Sequence, residues 1–399
     1  MLPEVKIGFD TQCSRCGKNF ERAHQSPLTW GLACALSGLV FYVILVTAPF
    51  LEVALYDRFR LSTVTTGLHT LESEGFSIVA CVVLITALLM PLFKLCGLTI
   101  VLASLHLKQP PRWIVPLFRH LKFVHTWSMA EIFLLGFLVA YTRLQTLVHV
   151  HMEIAVFALI GLVLSMVSID TMLAAETVWK KIREKGLTRM QEGGEAQGAM
   201  IGCRVCHQAN AADAANCLRC DAILEPRRPN SLARTWALLI SALILYIPAN
   251  IFAILHMTKF PHTQSYTILH GVEDFLHAGL WPLALLVFTA SIAIPLFKLI
   301  ALIFLLASTQ SKSRTYLIIR TRLYRFIDFI GRWSMIDTFM LSILVGLVQF
   351  GKLAQVTSGP GAIYFAAVVI LTILATSSFD PRLMWDAAED QSSKESTPR

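Results

Sequence analysis

Pro91-Leu92-Phe93-Lys94-Leu95 recurs as Pro295-Leu296-Phe297-Lys298-Leu299, 204 residues further along. Each copy lies inside an apolar run, residues 76–105 and 280–306, long enough to cross a bilayer at 1.5 Å per residue. A string this specific, repeated with a buried-looking lysine in it, points to an internal duplication within a membrane protein. Three further landmarks keep nearly the same spacing. Trp30 pairs with Trp236, and Trp127-Ser128-Met129 with Trp333-Ser334-Met335. Ser168-Ile169-Asp170 pairs with Ser378-Phe379-Asp380.

Outward from these marks, apolar runs at 30–50, 76–105, 127–147 and 154–173 make one set of four. Runs at 235–255, 280–306, 333–350 and 363–377 make the second. The composition agrees, with 55% hydrophobic and only 15% charged residues where a soluble domain carries about a quarter charged. The expected fold is an all-α polytopic membrane protein of two parallel four-helix transmembrane repeats, about eight helices, with small cytoplasmic zinc-ribbon elements. Even-numbered units enter the membrane in the same sense, which makes the repeats parallel and not inverted.

The expected division is a half zinc ribbon at 1–28, a first membrane unit at 29–180, a linker with a ribbon at 181–230, a second unit at 231–386 and a polar tail at 387–399. The first 27 residues are polar and hold no apolar leader, so the N-terminus reads as cytoplasmic. Basic residues set the orientation. With both termini inside, 27 lysines and arginines fall in cytoplasmic segments, against Arg58, Arg60, Lys259 and Lys352 outside. The net charge of +8 then follows from topology and contact with anionic headgroups, and implies no nucleic acid.

Nine cysteines fall into two classes. Cys34, Cys81 and Cys96 sit in apolar runs and read as packing residues. Cys203 and Cys206, followed by Cys217 and Cys220, form two short knuckles that suit tetrahedral thiolate coordination of a structural zinc. A reducing cytoplasmic setting disfavours disulfides there. Cys13 and Cys16 match the second knuckle by their distance to the next helix, which leaves either a degenerate ribbon or a start upstream of Met1. His24 is a candidate third ligand for that pair, though a lone surface histidine is more often solvated.

Ionisable residues inside hydrocarbon are costly and need a reason. Lys94, Glu131 and Asp170 in the first repeat, and Lys298, Asp337 and Asp380 in the second, form matching triads flanked by Ser128, Ser168, Ser334 and Ser378. Counted from the cytoplasmic helix ends, Glu131, Asp170 and Lys94 lie about 6, 14 and 18 Å deep, all in the cytoplasmic half. One lysine there faces two carboxylates, as a structural ion pair or as a polar relay that binds a proton or headgroup. Pro91 and Pro295 precede each lysine and should kink its helix, while Pro49 and Pro248 mark the outer ends of the first helices. The longer outer loops, 51–75 and 257–279, share a Leu-His pair followed by acids, at Leu68, His69, Glu72 and Glu74 and at Leu269, His270, Glu273 and Asp274. They read as amphipathic segments able to dock a partner, or as solvated loops.

The doubled PLFKL and WSM strings, the acidic ends of both fourth runs and the ribbon cysteines resemble the paraquat-inducible protein A family, over about residues 13–386. The resemblance implies an inner-membrane partner of periplasmic MCE-domain proteins that moves lipids between the membranes of a Gram-negative envelope. It implies that Cys203, Cys206, Cys217 and Cys220 hold zinc, and that Lys94, Lys298, Asp337 and Asp380 occupy intramembrane polar positions. The truncated first ribbon, and Glu131 where the second repeat has Asp337, depart from the pattern. No GxxxxGK[ST] loop is present, so ATP is not expected to drive the process directly, and no enzyme activity is expected. The competing readings are a membrane anchor or zinc-responsive regulator, and a proton-coupled small-solute transporter. A membrane thiol oxidoreductase would need cysteine pairs facing the periplasm, where none falls.

Overall fold

The structure is a computed structural model that describes residues 27–55, 58–73, 75–145, 149–189, 200–259, 262–313, 315–347 and 354–387. Cys13, Cys16, His24 and Glu74 lie outside the described residues. Among those described, eight helical stretches are long and apolar enough to cross a membrane, the first at Pro27–Thr47 and the last at Gly361–Ser378. The chain is a multi-pass, mainly helical membrane protein.

The chain opens with α1 (Pro27–Thr47), strands β1 (Leu51–Leu55) and β2 (Arg58–Ser62), and the short helix α2 (Val64–Ser73). A long helix follows, made of α3 (Ser77–Val83), a π turn at Leu84–Leu89 and α4 (Met90–His106). Next come α5 (Ile114–Trp127), α6 (Ala130–Gln145), β3 (His149–Met152), α7 (Ile154–Met172) and α8 (Ala175–Glu184). The hairpin β4 (Met200–Gly202) and β5 (Ala209–Ala211) carries the first cysteine knuckle. The order then recurs as α9 (Ser231–Ile251), β6 (Leu255–Lys259), β7 (His262–Tyr266), α10 (Ile268–His277) and α11 (Trp281–Phe288). It continues with a π turn at Thr289–Ala293, α12 (Ile294–Gln310), α13 (Leu317–Ile330), a 3-10 turn at Gly331–Met335, α14 (Ile336–Leu347), β8 (Ala354–Ser358) and α15 (Gly361–Ser378).

The π turns explain the proline strings. Proline has no N–H to give the carbonyl four residues back, so the ladder slips by one residue just before Met90-Pro91 and Ile294-Pro295. Pro49 lies beyond α1, as expected. Pro248 does not end its helix, because α9 runs on to Ile251.

Two features depart from the sequence reading. The outer loops contain strands: β1 pairs with β2 and β3, and β6 with β7 and β8, giving two small antiparallel sheets. Each central strand finds one partner about a hundred residues away, a pairing no local pattern reveals. The third and seventh spans also start earlier than expected, at Ile114 and Leu317, because α5 and α13 extend them toward the N-terminus. Both helices are amphipathic, which made them look like polar loops.

Packing divides the described residues into two compact units of interleaved segments. One takes the described parts of Met1–Ala48, Ile85–Ala130 and Ile154–Pro226; the other takes those of Pro49–Leu84, Glu131–Glu153 and Arg227–Arg399. In the first, α1 lies against α7 and α4, burying Gly31, Ala35 and Gly38 at helical spacing while Leu36, Val40 and Val43 stay exposed. An apolar outer face of this kind suits lipid. In the second, α9, α12, α13 and α15 close around Leu239, Leu302, Leu305, Ile327 and Phe379. There α2 crosses α14 so closely that a Cβ on Gly346 would lie 2.3 Å from the Gly67 Cα.

Candidate functional sites: a four-cysteine metal centre and buried polar groups

The cysteine centre is built by two turns of the same shape. In each, two backbone hydrogen bonds close the loop: Cys203 N–H donates to the Gln208 carbonyl and His207 N–H to that of Cys203, while Cys217 N–H donates to the Ala222 carbonyl and Asp221 N–H to that of Cys217. The residue after each second cysteine, His207 or Asp221, takes a left-handed backbone, φ 59° and 55°, that turns the chain back. Buried Asn210 braces the second knuckle: its Oδ1 accepts from Leu218 N–H and its Nδ2 lies 3.5 Å from the Cys217 sulfur.

All four thiols are buried and free, and their sulfurs lie within 4.8 Å of one another. The Cys203–Cys220 and Cys206–Cys217 separations are 3.6 and 3.5 Å. Those distances are far beyond a disulfide bond of about 2.05 Å. They match the edge of a sulfur tetrahedron around zinc, about 3.8 Å for Zn–S bonds of about 2.3 Å. Hydrogen bonding to Cys206 draws the Cys217 thiol well below its ordinary value, and the same pairing pushes Cys206 up. The cluster can therefore hold a tetrahedral, thiolate-bound metal ion, and with four protein ligands it leaves no position open for catalysis.

The intramembrane groups do not form two equal triads. In the first repeat Lys94, 3% exposed, has its Nζ 2.8 Å from Asp170 Oδ2, and His125 Nδ1 lies 3.7 Å from the other Asp170 oxygen. Glu131 opens the first turn of α6, where the positive end of the helix dipole favours an acid. It lies in the other compact unit.

In the second repeat Lys298 has no exposed surface and donates to Thr372 Oγ1 at 2.9 Å. Its Nζ lies where a Cβ on Gly331 would meet it at 3.4 Å, and Asp328 acts on it electrostatically. The expected pairing with Asp380 is absent because Asp380 falls two residues past the end of α15. There it accepts from the backbone N–H of Arg228 and Arg382, and its own N–H donates to Ser231 Oγ. Ser378 accepts from Ser231 through its carbonyl. These bonds tie the start of α9 to the end of α15.

Asp337 opens α14 and is 6% exposed, with Oδ1 buried and without a hydrogen-bond partner among the described residues. Ser291, in the π turn, lies within hydrogen-bonding reach of the same carboxyl. The carboxyl borders a cavity of about 40 Å³ lined by Leu255 of β6, Tyr266 of β7, Phe275, Val287 and Met340. That volume admits a few waters. Sharing this cavity with Leu255 and Tyr266 places Asp337 toward the end of its unit that carries β6 and β7. Ser128 and Ser334, the serines of the two WSM strings, are both buried with Oγ unpartnered among the described residues. Ser168 Oγ instead returns its hydrogen bond to the Leu164 carbonyl.

A family model described as Paraquat-inducible protein A matches the chain at residues 28–183 and again at 232–389. The chain belongs to the paraquat-inducible protein A family. It is 31% identical to "Intermembrane transport protein PqiA" of Escherichia coli K12, over 99% of this chain and 95% of that one. It is 30% identical to "Lipophilic envelope-spanning tunnel protein A" of the same organism, over 97% and 89%. It is 28% identical to a "Probable intermembrane transport protein" of Haemophilus influenzae, over 94% and 90%. No solved structure matches the chain.

The first of the two family segments contains a contact between its two marker strings. Five residues before Pro91, the Thr86 carbonyl would meet a π-register N–H that proline lacks, and it accepts instead from Met129 N–H at 3.1 Å. Met129 follows the break between α5 and α6, where its N–H has no helical partner. Thr372, Ser291 and Thr86 were missed in the sequence. Thr372 stands 74 residues from Lys298 in an apolar run, and no local signal marks it.

Proposed function

We propose that this member of the paraquat-inducible protein A family is an inner-membrane component of an envelope lipid-transport system. It passes lipids to, or takes them from, a periplasmic MCE-domain tunnel protein. The observation that carries this reading is the match over almost the whole chain to relatives named for intermembrane transport and for an envelope-spanning tunnel. Under the basic-residue orientation both termini and the cysteine centre face the cytoplasm, and the two small sheets face the periplasm where such a partner would meet them.

Zinc is the metal that best suits four buried thiolates, and it would brace the cytoplasmic domain without taking part in chemistry. For the drive, the proposal turns to Lys298 and Asp337, because buried ionisable groups at such cost in a transport protein are the natural place for proton coupling. Lys94, Glu131 and Asp170 form the corresponding set of the first repeat, and Ser128, Ser334, Ser378 and Asp380 complete the proposed polar positions.

The test is to tag the protein at its C-terminus, solubilise native membranes in mild detergent and identify co-purifying proteins and lipids by mass spectrometry. An MCE-domain protein together with enriched phospholipid is expected. Recovery of neither would argue for a membrane anchor or a small-solute carrier.

A further inference from the structure

The cysteine domain precedes the second repeat in sequence, yet its polar contacts run to helices of the first. From α5, Arg119 Nη1 donates to the carbonyls of Asp221 and Cys220 at 3.1 and 3.5 Å. One turn on, Lys122 Nζ donates to the carbonyls of Arg204 and Val205 at 2.8 and 3.0 Å. A single helix face thus grips both knuckles, one basic residue to each. From the opposite direction Arg219, buried inside the second knuckle, reaches out to Glu176 of α8 through two parallel bonds of 2.8 and 2.7 Å. The same face of α5 continues to His125, beside the Asp170 carboxylate that holds Lys94.

We infer that the four-cysteine domain is a metal-dependent clamp on the first membrane unit, fixing α5 and α8 through Arg119, Lys122 and Glu176 and thereby holding His125 against Asp170. The physical reason is twofold. The carbonyls that Arg119 and Lys122 grip belong to the two knuckle turns, whose few backbone hydrogen bonds and Asn210 brace would be reinforced by four sulfurs gathered on one ion. Four thiolates around a divalent cation also leave a doubly negative centre, which favours the two cations of α5. This reading is independent of lipid transport, because it concerns only which part of the chain the metal immobilises.

Amide hydrogen exchange on the full-length protein in detergent tests it, comparing zinc-loaded protein with protein stripped by a high-affinity chelator. Stripping should speed exchange in residues 200–226 and, together with them, in α5 and α8, by about tenfold or more. Unchanged α5 exchange would overturn the clamp. The double variant Arg119→Ala with Lys122→Ala separates docking from metal binding. It should hold its zinc when zinc is saturating, keep the knuckle amides protected, and yet show the fast α5 exchange of the stripped protein. A double variant with α5 still protected, or one unable to hold zinc at saturation, would also overturn it.

Discussion

Lys298 places an amine with no exposed surface between Thr372 and the Gly331 turn, in a helix that is otherwise apolar. A buried charge replaced by an apolar side chain of similar volume is often neutral or stabilising, so the lysine is poorly explained as a stabiliser. Lys298→Met should leave the thermal midpoint in detergent unchanged or raised while abolishing transport. Wild-type transport by that variant would remove Lys298 from the mechanism. At the cysteine centre, Cys217→Ser should lower zinc content by one atom per chain, measured by elemental analysis of the purified protein. Lowering the pH should release the same ion from wild type, because protons compete for the thiolates and metal binding displaces them. The clustering of the four cysteines was legible from spacing alone, since knuckle geometry is local. The partners of Lys298 and Asp380 were not, because they depend on which helices pack together and on where α15 stops.

At the scale of elements, the long second and sixth spans depend on a slipped ladder before each proline, and the third and seventh on a break after an amphipathic helix. The apolar runs revealed that these helices exist, while the starts of α5 and α13 were hidden because basic residues on one face made them read as loops. The strands were hidden for a different reason: five residues carry too little pattern, and β3 and β8 find their partners about a hundred residues back in the chain. The crossing of α2 and α14 is sensitive to volume. Gly346→Leu should push Gly67 away and cost about 1–3 kcal/mol, the usual penalty of overpacking, read as a lower thermal midpoint in detergent. An unchanged midpoint would mean that the two helices do not meet at these glycines.

At the scale of the whole molecule, a duplicated plan has diverged in its polar interior while keeping its backbone devices. Both copies keep the π turn, the proline, the lysine and the buried WSM serine. Among the described residues, the first pairs its lysine with an aspartate of the fourth helix, and the second buries an acid beside a small cavity. On the proposed function, this asymmetry would place transport chemistry in the second repeat and metal-braced support in the first. The direct test of that account is lipid transfer from proteoliposomes to a purified soluble MCE-domain acceptor, followed with a fluorescent phospholipid with and without a pH gradient. The account predicts protein-dependent transfer that responds to the gradient and disappears with Lys298→Met. Transfer no faster than from protein-free liposomes, under either condition, would contradict it.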